Sequence, residues 1–337
     1  LFLTTPNILK RLVHGIKAGA ILAGINAVIE YWLLSQGRAD GAVNAIIFGD
    51  LALLLGFLAM VNFFKETPQE KFLSALALAL GLTAALLSET RNTWGAAPIL
   101  ILTLLFIWWK GGFISPRRLT ATLTIALLAA IIFASTPVFQ HRYSQMINEL
   151  KTLENHSEIT SVRERVVMWK AGLETSMDSP VLGHGLHKAN QAVALRVQSS
   201  NYQKRIAGYT HLHNEFVNTL VGKGLLGLAS LLLLLFGPIA LLGKCLKDGT
   251  SYTCASMGIL VCSGYALFGL TNLAFGHGIM NTFYVFFLSI TLNLVILFRT
   301  TRTSQKTSEA GFRSPMEING LKSWPVTHSQ ITFARSG

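Results

Sequence analysis

The sequence predicts an all-α integral membrane protein. Of its 337 residues, 51% are hydrophobic and only 13% charged, against about 25% charged in soluble domains. Mean hydropathy is +0.48, and the apolar residues fall in runs long enough to cross a bilayer. The basic residues gather in alternate connections between those runs, the pattern that orients membrane helices.

Eight runs lie near the roughly 20 residues that a membrane-crossing helix needs. They are Leu12–Leu34, Ala42–Phe64, Phe72–Leu87, Gly95–Trp109 and Leu119–Thr136, then Phe216–Leu242, Tyr252–Phe275 and Ile279–Phe298. The third and fourth are short by this measure. The chain thus divides into five helices over residues 1–136, a large polar loop over 137–215, three helices over 216–298 and a basic tail over 299–337. The tail is rich in Ser and Thr and contains Pro315 and Pro325, a composition expected to be mostly disordered. Leu1 is not a methionine, and no positive region followed by a small-residue cleavage site is visible. The N-terminus is therefore expected to be incomplete and the span count a minimum.

Charge orients the array. Lys10, Arg11 and Lys17 attend the first span; Lys65 and Lys71 follow the second; Lys110, Arg117 and Arg118 follow the fourth; Lys244 and Lys247 follow the sixth. A further group from Arg299 to Arg335 follows the eighth, whereas the alternate short connections carry only Arg38 and Arg91. The basic set is cytoplasmic by the positive-inside rule, so the large loop and Arg91 share the opposite face. The net charge of +12 is spread between apolar runs and forms no single basic face. It reads as loop charge anchoring a membrane protein, with no nucleic-acid partner. Cys245, Cys254 and Cys262 lie in or beside apolar runs without metal spacing, and read as packing groups.

Within the large loop, Ser161–Met177 has apolar residues at three- and four-residue spacing and reads as a helix, with Arg165 and Trp169 neighbours at i,i+4. Asp178-Ser179-Pro180 ends it and Gly183-His184-Gly185 makes a flexible turn; a second short helix covers Lys188–Gln198. Arg163 and Arg165 flank Glu164, either as a solvated face or as contacts to an anionic substrate. Arg91, next to Trp94 and near Glu89, reads either as an interfacial residue paired with that acid or as a clamp on phosphate oxygens.

The stretch Tyr209-Thr210-His211-Leu212-His213-Asn214-Glu215-Phe216 sets two histidines, an amide and a carboxylate at the mouth of the sixth span. Ionisable groups there are costly unless they face water or a polar cavity, which marks a functional site. On an extended segment His211 and His213 would point the same way and suit a metal; on a helix they diverge. No third ligand has metal-like spacing, and a neutral histidine suits general-base work. Glu215 could orient that base or complement the helix N-terminus. Asn214 is a candidate N-cap. Lys223 could face the same cavity or snorkel outward. His141, His156, His184, His187 and His277 belong to no constellation and read as turn or interface residues.

His213-Asn214-Glu215-Phe216-Val217-Asn218-Thr219-Leu220, followed by Gly224-Leu225-Leu226-Gly227-Leu228, resembles the bacterial O-antigen ligase and polymerase superfamily. Arg165-Val166-Val167-Met168-Trp169, followed by Pro180-Val181-Leu182-Gly183-His184-Gly185, is similar to that family's loop signature; Thr90-Arg91-Asn92 matches its short external element only at the arginine. The resemblance covers roughly Ser88–Leu235. It implies a GT-C-like helical bundle in the bacterial inner membrane with its site facing the periplasm. The family usually has more spans before its large loop than the five found here. The implied activity is metal-independent, inverting transfer of a glycan from undecaprenyl diphosphate to a hydroxyl of lipid A core, without cofactors. His213 would activate the acceptor, and Arg91 and Arg165 would hold the diphosphate. Arg163, His211, Asn214, Glu215, Trp169 and Lys223 are the further candidates for substrate contact. An O-antigen polymerase or protein O-oligosaccharyltransferase would differ only in acceptor. A transporter of lipid-linked glycan would show polar, broken helices at mid-membrane in both halves, and a scaffold would leave the Arg/His set without a role.

Overall fold

A computed structural model describes residues 6–135, 140, 143–144, 147, 161–185, 187–197, 200–249 and 251–312. Among the described residues all regular structure is helical. Five helices precede the large loop: α1 (Pro6–Val28, with a π turn over Ile29–Leu33), α2 (Ala45–Ala59), α3 (Pro68–Leu87), α4 (Arg91–Lys110) and α5 (Pro116–Ala134). The loop contains α6 (Ser161–Ser176), α7 (Ala189–Arg196) and α8 (Ser200–Gly208). After it come α9 (Glu215–Gly243), α10 (Tyr252–Phe268) and α11 (Gly278–Phe312).

Local chemistry sets the starts. Thr67 and Glu70 form a reciprocal capping box at α3, with Pro68 at the first helical position. The Asn44 side chain accepts from the Ile46 amide to begin α2.

Helices α1, α2 and α3 pack together, and α10 packs against α2, α4 and α9. Along α10 nearly every side chain is buried, Tyr252, Leu260, Tyr265 and Phe268 among them. A helix apolar and buried all round is the centre of a bundle. Close approach of α2 and α3 rests on small residues: a Cβ on Gly81 would stand 2.7 Å from the Ala52 carbonyl oxygen and 3.1 Å from the Gly56 Cα.

All eight apolar runs contain helices, and among the described residues six helices have the length and apolarity to cross a membrane. Helix α10 has 17 residues, because the chain leaves it at Gly269 to meet the start of α9. Leu1–Phe298 form one compact unit and Arg299–Gly337 a second. Helix continues to Phe312 where composition predicts disorder, since no proline intervenes before Pro315. Residues from 313 on, with His141 and His156, lie outside the described residues.

A second, smaller core lies in the loop region. Met168 and Ala171 of α6, Val193 and Ala194 of α7, Ile206 of α8, Leu212 in the segment before α9 and Val221 of α9 are buried together. This core holds the histidine segment in place.

Candidate functional site

Helix α9 is interrupted. Gly224 has φ 64° and ψ −164°, outside helical geometry. The break frees backbone groups, and the Pro180–Gly185 turn takes them up. His184 N–H donates to the Val221 carbonyl (2.8 Å) and Gly185 N–H to Gly222 (2.9 Å), while Leu225 N–H donates to Pro180 (2.7 Å) and Leu226 N–H to Val181 (3.4 Å). Such pairing is what permits non-helical backbone in an apolar setting. Only glycine fits: a Cβ on Gly224 would stand 2.3 Å from the Val181 carbonyl, and one on Gly183 2.5 Å from the Lys223 nitrogen. The two Gly-rich strings thus interlock, and the His184 ring bonds the Thr175 carbonyl as a turn residue.

This interlock and the small core fix residues 209–214. Trp169 donates its indole N–H to the Leu212 carbonyl at 3.0 Å, and the Asn218 side chain accepts from the Leu212 amide at 3.2 Å. Asn214 caps α9 by accepting from Val217 N–H (3.0 Å), and its amide donates to the Leu270 carbonyl (2.8 Å). The Glu215 amide donates to the Gly269 carbonyl at 2.7 Å. Between these anchors His213 adopts φ 50°, the left-handed region uncommon outside glycine. Backbone strain held by surrounding contacts is a mark of functional positions.

The His213 ring packs edge-on to His211 (4.4 Å between centroids) and to Tyr209 (5.3 Å), and its Nδ1 is buried without a hydrogen-bond partner. Burial is the main cause that pushes its pKa down to about 4, with His211 and Arg165 adding to it and Glu164 opposing. The imidazole is therefore neutral at pH 7 and keeps a lone pair free. His211 is lowered by burial, then by His277 and Arg165. The two rings pack together, yet no three metal-ligating side chains converge among the described residues.

Arg91, at the first position of α4, and Arg165 of α6 line one cavity of about 380 Å³ with Asn92, Trp169, Ile99 and Leu270. None of its lining residues is acidic. Burial, then the charge of Arg91, lowers the Arg165 pKa, so two like charges face a partly desolvated space. Such a pair favours an anion that accepts from both guanidinium groups. A recess of about 170 Å³ shares Arg91 and Arg165 and adds Arg38 and Glu89. The Trp94 indole is tied to the Ala85 carbonyl on α3 at 3.1 Å.

Several candidates lie elsewhere. Arg163 is 6% exposed and absent from the cavity wall; two residues along a helix turn side chains about 200° apart, so Arg163 and Arg165 diverge. Glu215 does not orient His213. Its carboxylate accepts from Phe275 N–H at 2.9 Å, and it lines a separate cavity with Lys223.

Three participants escaped the sequence reading. Arg38 counted only as an orienting charge, yet its Nη2 donates to Thr90 Oγ1 at 3.3 Å beside Arg91. Glu164 is buried and accepts from Arg205 Nε (2.6 Å) and the Tyr209 hydroxyl (2.9 Å), steadying the ring that packs on His213. Asp50 of α2, 1% exposed, accepts from Thr93 (2.6 Å) and Asn92 (3.4 Å) in the first turn of α4. A lone acid inside an apolar run was the available signal.

Residues 76–232 match the family model described as O-antigen ligase, and that segment contains Arg91, Arg165, His213 and the interlock. The O-antigen ligase of Escherichia coli K12 is 28% identical over 218 residues, covering 63% of this chain and 50% of that protein. The family model and this relative both support a place in the O-antigen ligase superfamily. An uncharacterized protein of Haemophilus influenzae is 23% identical over 293 residues, covering 84% of this chain and 73% of that protein. This chain thus spans about half the length of the Escherichia coli superfamily member.

Proposed function

We propose that this chain is a glycosyltransferase that moves O-antigen glycan from undecaprenyl diphosphate to a hydroxyl of lipid A core, at the periplasmic face of the bacterial inner membrane. The observation that carries this reading is the acid-free cavity in which Arg91 and Arg165 stand together over an apolar floor. It suits a diphosphate attached to a lipid, with the guanidinium groups on the phosphate oxygens and the chain against Ile99, Leu267 and Leu270. His213 takes the proton of the acceptor hydroxyl while the new oxygen–carbon bond forms at the anomeric centre. The bond to phosphate breaks, and the lipid diphosphate departs with the electron pair, stabilised by the arginines. Attack opposite the leaving group inverts the centre. No step needs a metal.

The reading is tested by reconstituting the full chain with lipid-linked glycan and separate acceptors. Product on lipid A core is expected; chain extension would make the protein a polymerase, and glycoprotein an oligosaccharyltransferase. His213→Ala and Arg165→Ala should each lower transfer by at least about 100-fold while membrane insertion is unchanged. Normal transfer by both would remove the proposed roles.

A further inference from the structure

A cavity of about 770 Å³ is separate from the arginine cavity and lies between α9 and α11. Its polar end carries Glu215, Thr219, Lys223 and Asn281, and its apolar end Leu234 and Leu288. Leu234 is about ten residues beyond the break at Gly224, and Leu288 about ten beyond the start of α11. At 1.5 Å per residue each lies about 15 Å along its helix from that point. The Tyr284 hydroxyl donates to the Leu234 carbonyl at 2.7 Å and ties the two walls together. The groove therefore runs from a polar mouth at the helix N-terminus at Glu215 along α9 and α11 to Leu234 and Leu288, an apolar length that suits an acyl chain.

The two cavities are neighbours across a wall. Leu270 and Thr271 line the arginine cavity and Phe275 lines the groove, so the Gly269–Phe275 segment runs from one to the other. Asn214 and Glu215 are bonded to that same segment, directly after His213. Charge separates the occupants. The first cavity offers two guanidinium groups and no acid, which selects an anion. The groove mouth offers one carboxylate, one ammonium and neutral hydroxyl and amide groups, which suit a sugar head group presenting hydroxyls.

We propose that the α9–α11 groove seats the acceptor: a saccharide-headed lipid of the outer leaflet, with an acyl chain between Leu234 and Leu288 and its sugar hydroxyls at Glu215 and Lys223. This rests on the glycosyl-transfer reading above. It assigns the two lipid substrates to opposite sides of the Gly269–Phe275 segment, to which Asn214 and Glu215, directly after His213, are bonded.

The test uses the full chain in vesicles with rough lipopolysaccharide as acceptor. A benzophenone amino acid at Leu288, irradiated without donor, should label the protein with lipopolysaccharide, whereas one at Ile99 should not. Ser289→Trp, which fills the groove wall, should raise the acceptor KM about tenfold and leave the donor KM unchanged. Labelling at Leu288 by the lipid-linked donor instead, a raised donor KM, or no labelling would overturn the assignment. If the groove labels but the wild-type chain makes no transfer product, the transfer reading fails and the acceptor-lipid site stands.

Discussion

His213 is held where it cannot easily take up a proton in the resting protein, and that has a measurable consequence. Its pKa is pushed down to about 4 by burial and by neighbouring positive charge. An exposed histidine would titrate near 6.5. Above about pH 5 the ring is neutral and available as a base, so kcat/KM should stay flat through the neutral range and fall only as pH drops towards 4. An inflection near 6.5 would show that the acting base is not in this environment. The same shift acts on the fold. Because the folded pKa lies below the unfolded one, this group's contribution to stability is full above about 6.5 and is lost as pH falls towards 4. Glu164 belongs to the same scale. Glu164→Ala would leave the Tyr209 hydroxyl and the Arg205 guanidinium without their buried acceptor, which should cost about 1–3 kcal/mol in thermal unfolding and lower transfer by loosening the Tyr209–His213 contact. Glu164→Gln, which keeps an acceptor oxygen for Tyr209, should recover part of both.

The element that decides the site is the broken helix α9. Gly224→Ala places a Cβ against the Val181 carbonyl in a left-handed conformation, so it should lower the melting temperature clearly and abolish transfer. Leu242→Ala, a truncation near the far end of α9 in the main core, should cost about 2–5 kcal/mol while leaving the site's own bonds intact. An equal loss of transfer from both at matched stability would deny the interlock a particular role. Neither the break nor the interlock was legible in the sequence. A glycine in an apolar helical run is ordinarily tolerated at a cost of about 1 kcal/mol, and nothing local says that a turn forty residues earlier will insert its backbone there. The helices themselves were legible, because length and apolarity need no partner to be read. Their ends depended on partners. Helix α10 stops at Gly269 because the chain is needed to bind Asn214 and Glu215, a long-range demand invisible from Tyr252–Phe275 alone. Arg165 and Trp169 were paired correctly by helical spacing. Arg163 went astray because a charge count carries no direction, and Arg38 and Asp50 were missed because each is a lone charge without a motif.

At the scale of the molecule, orientation is the open quantity and the native thiols make it easy to measure. Cys245, Cys254 and Cys262 are free and buried, so an introduced cysteine should be labelled against a silent background. Met177→Cys, at a position 77% exposed beside the interlock, should react with a membrane-impermeant maleimide in intact spheroplasts. Lys110→Cys, at the far end of α4 from Arg91, should react only after permeabilisation. The reverse result would place the arginine cavity on the cytoplasmic side and defeat the proposed reaction there. The alternation of basic connections predicts this orientation from sequence, since it depends on charge along the chain and not on packing.

The backbone exchange at Gly224 also limits how the protein can be recombined. The large loop reads as an insertion between two sets of helices, a cassette for exchange between relatives. Four main-chain bonds tie its Pro180–Gly185 turn to Val221–Leu226, so the covalent boundary near residue 215 is not the structural one. A chimera that takes only residues 161–197 from a relative should fail to fold unless it also takes 221–226. The unit of inheritance is then the loop together with the helix that it splices.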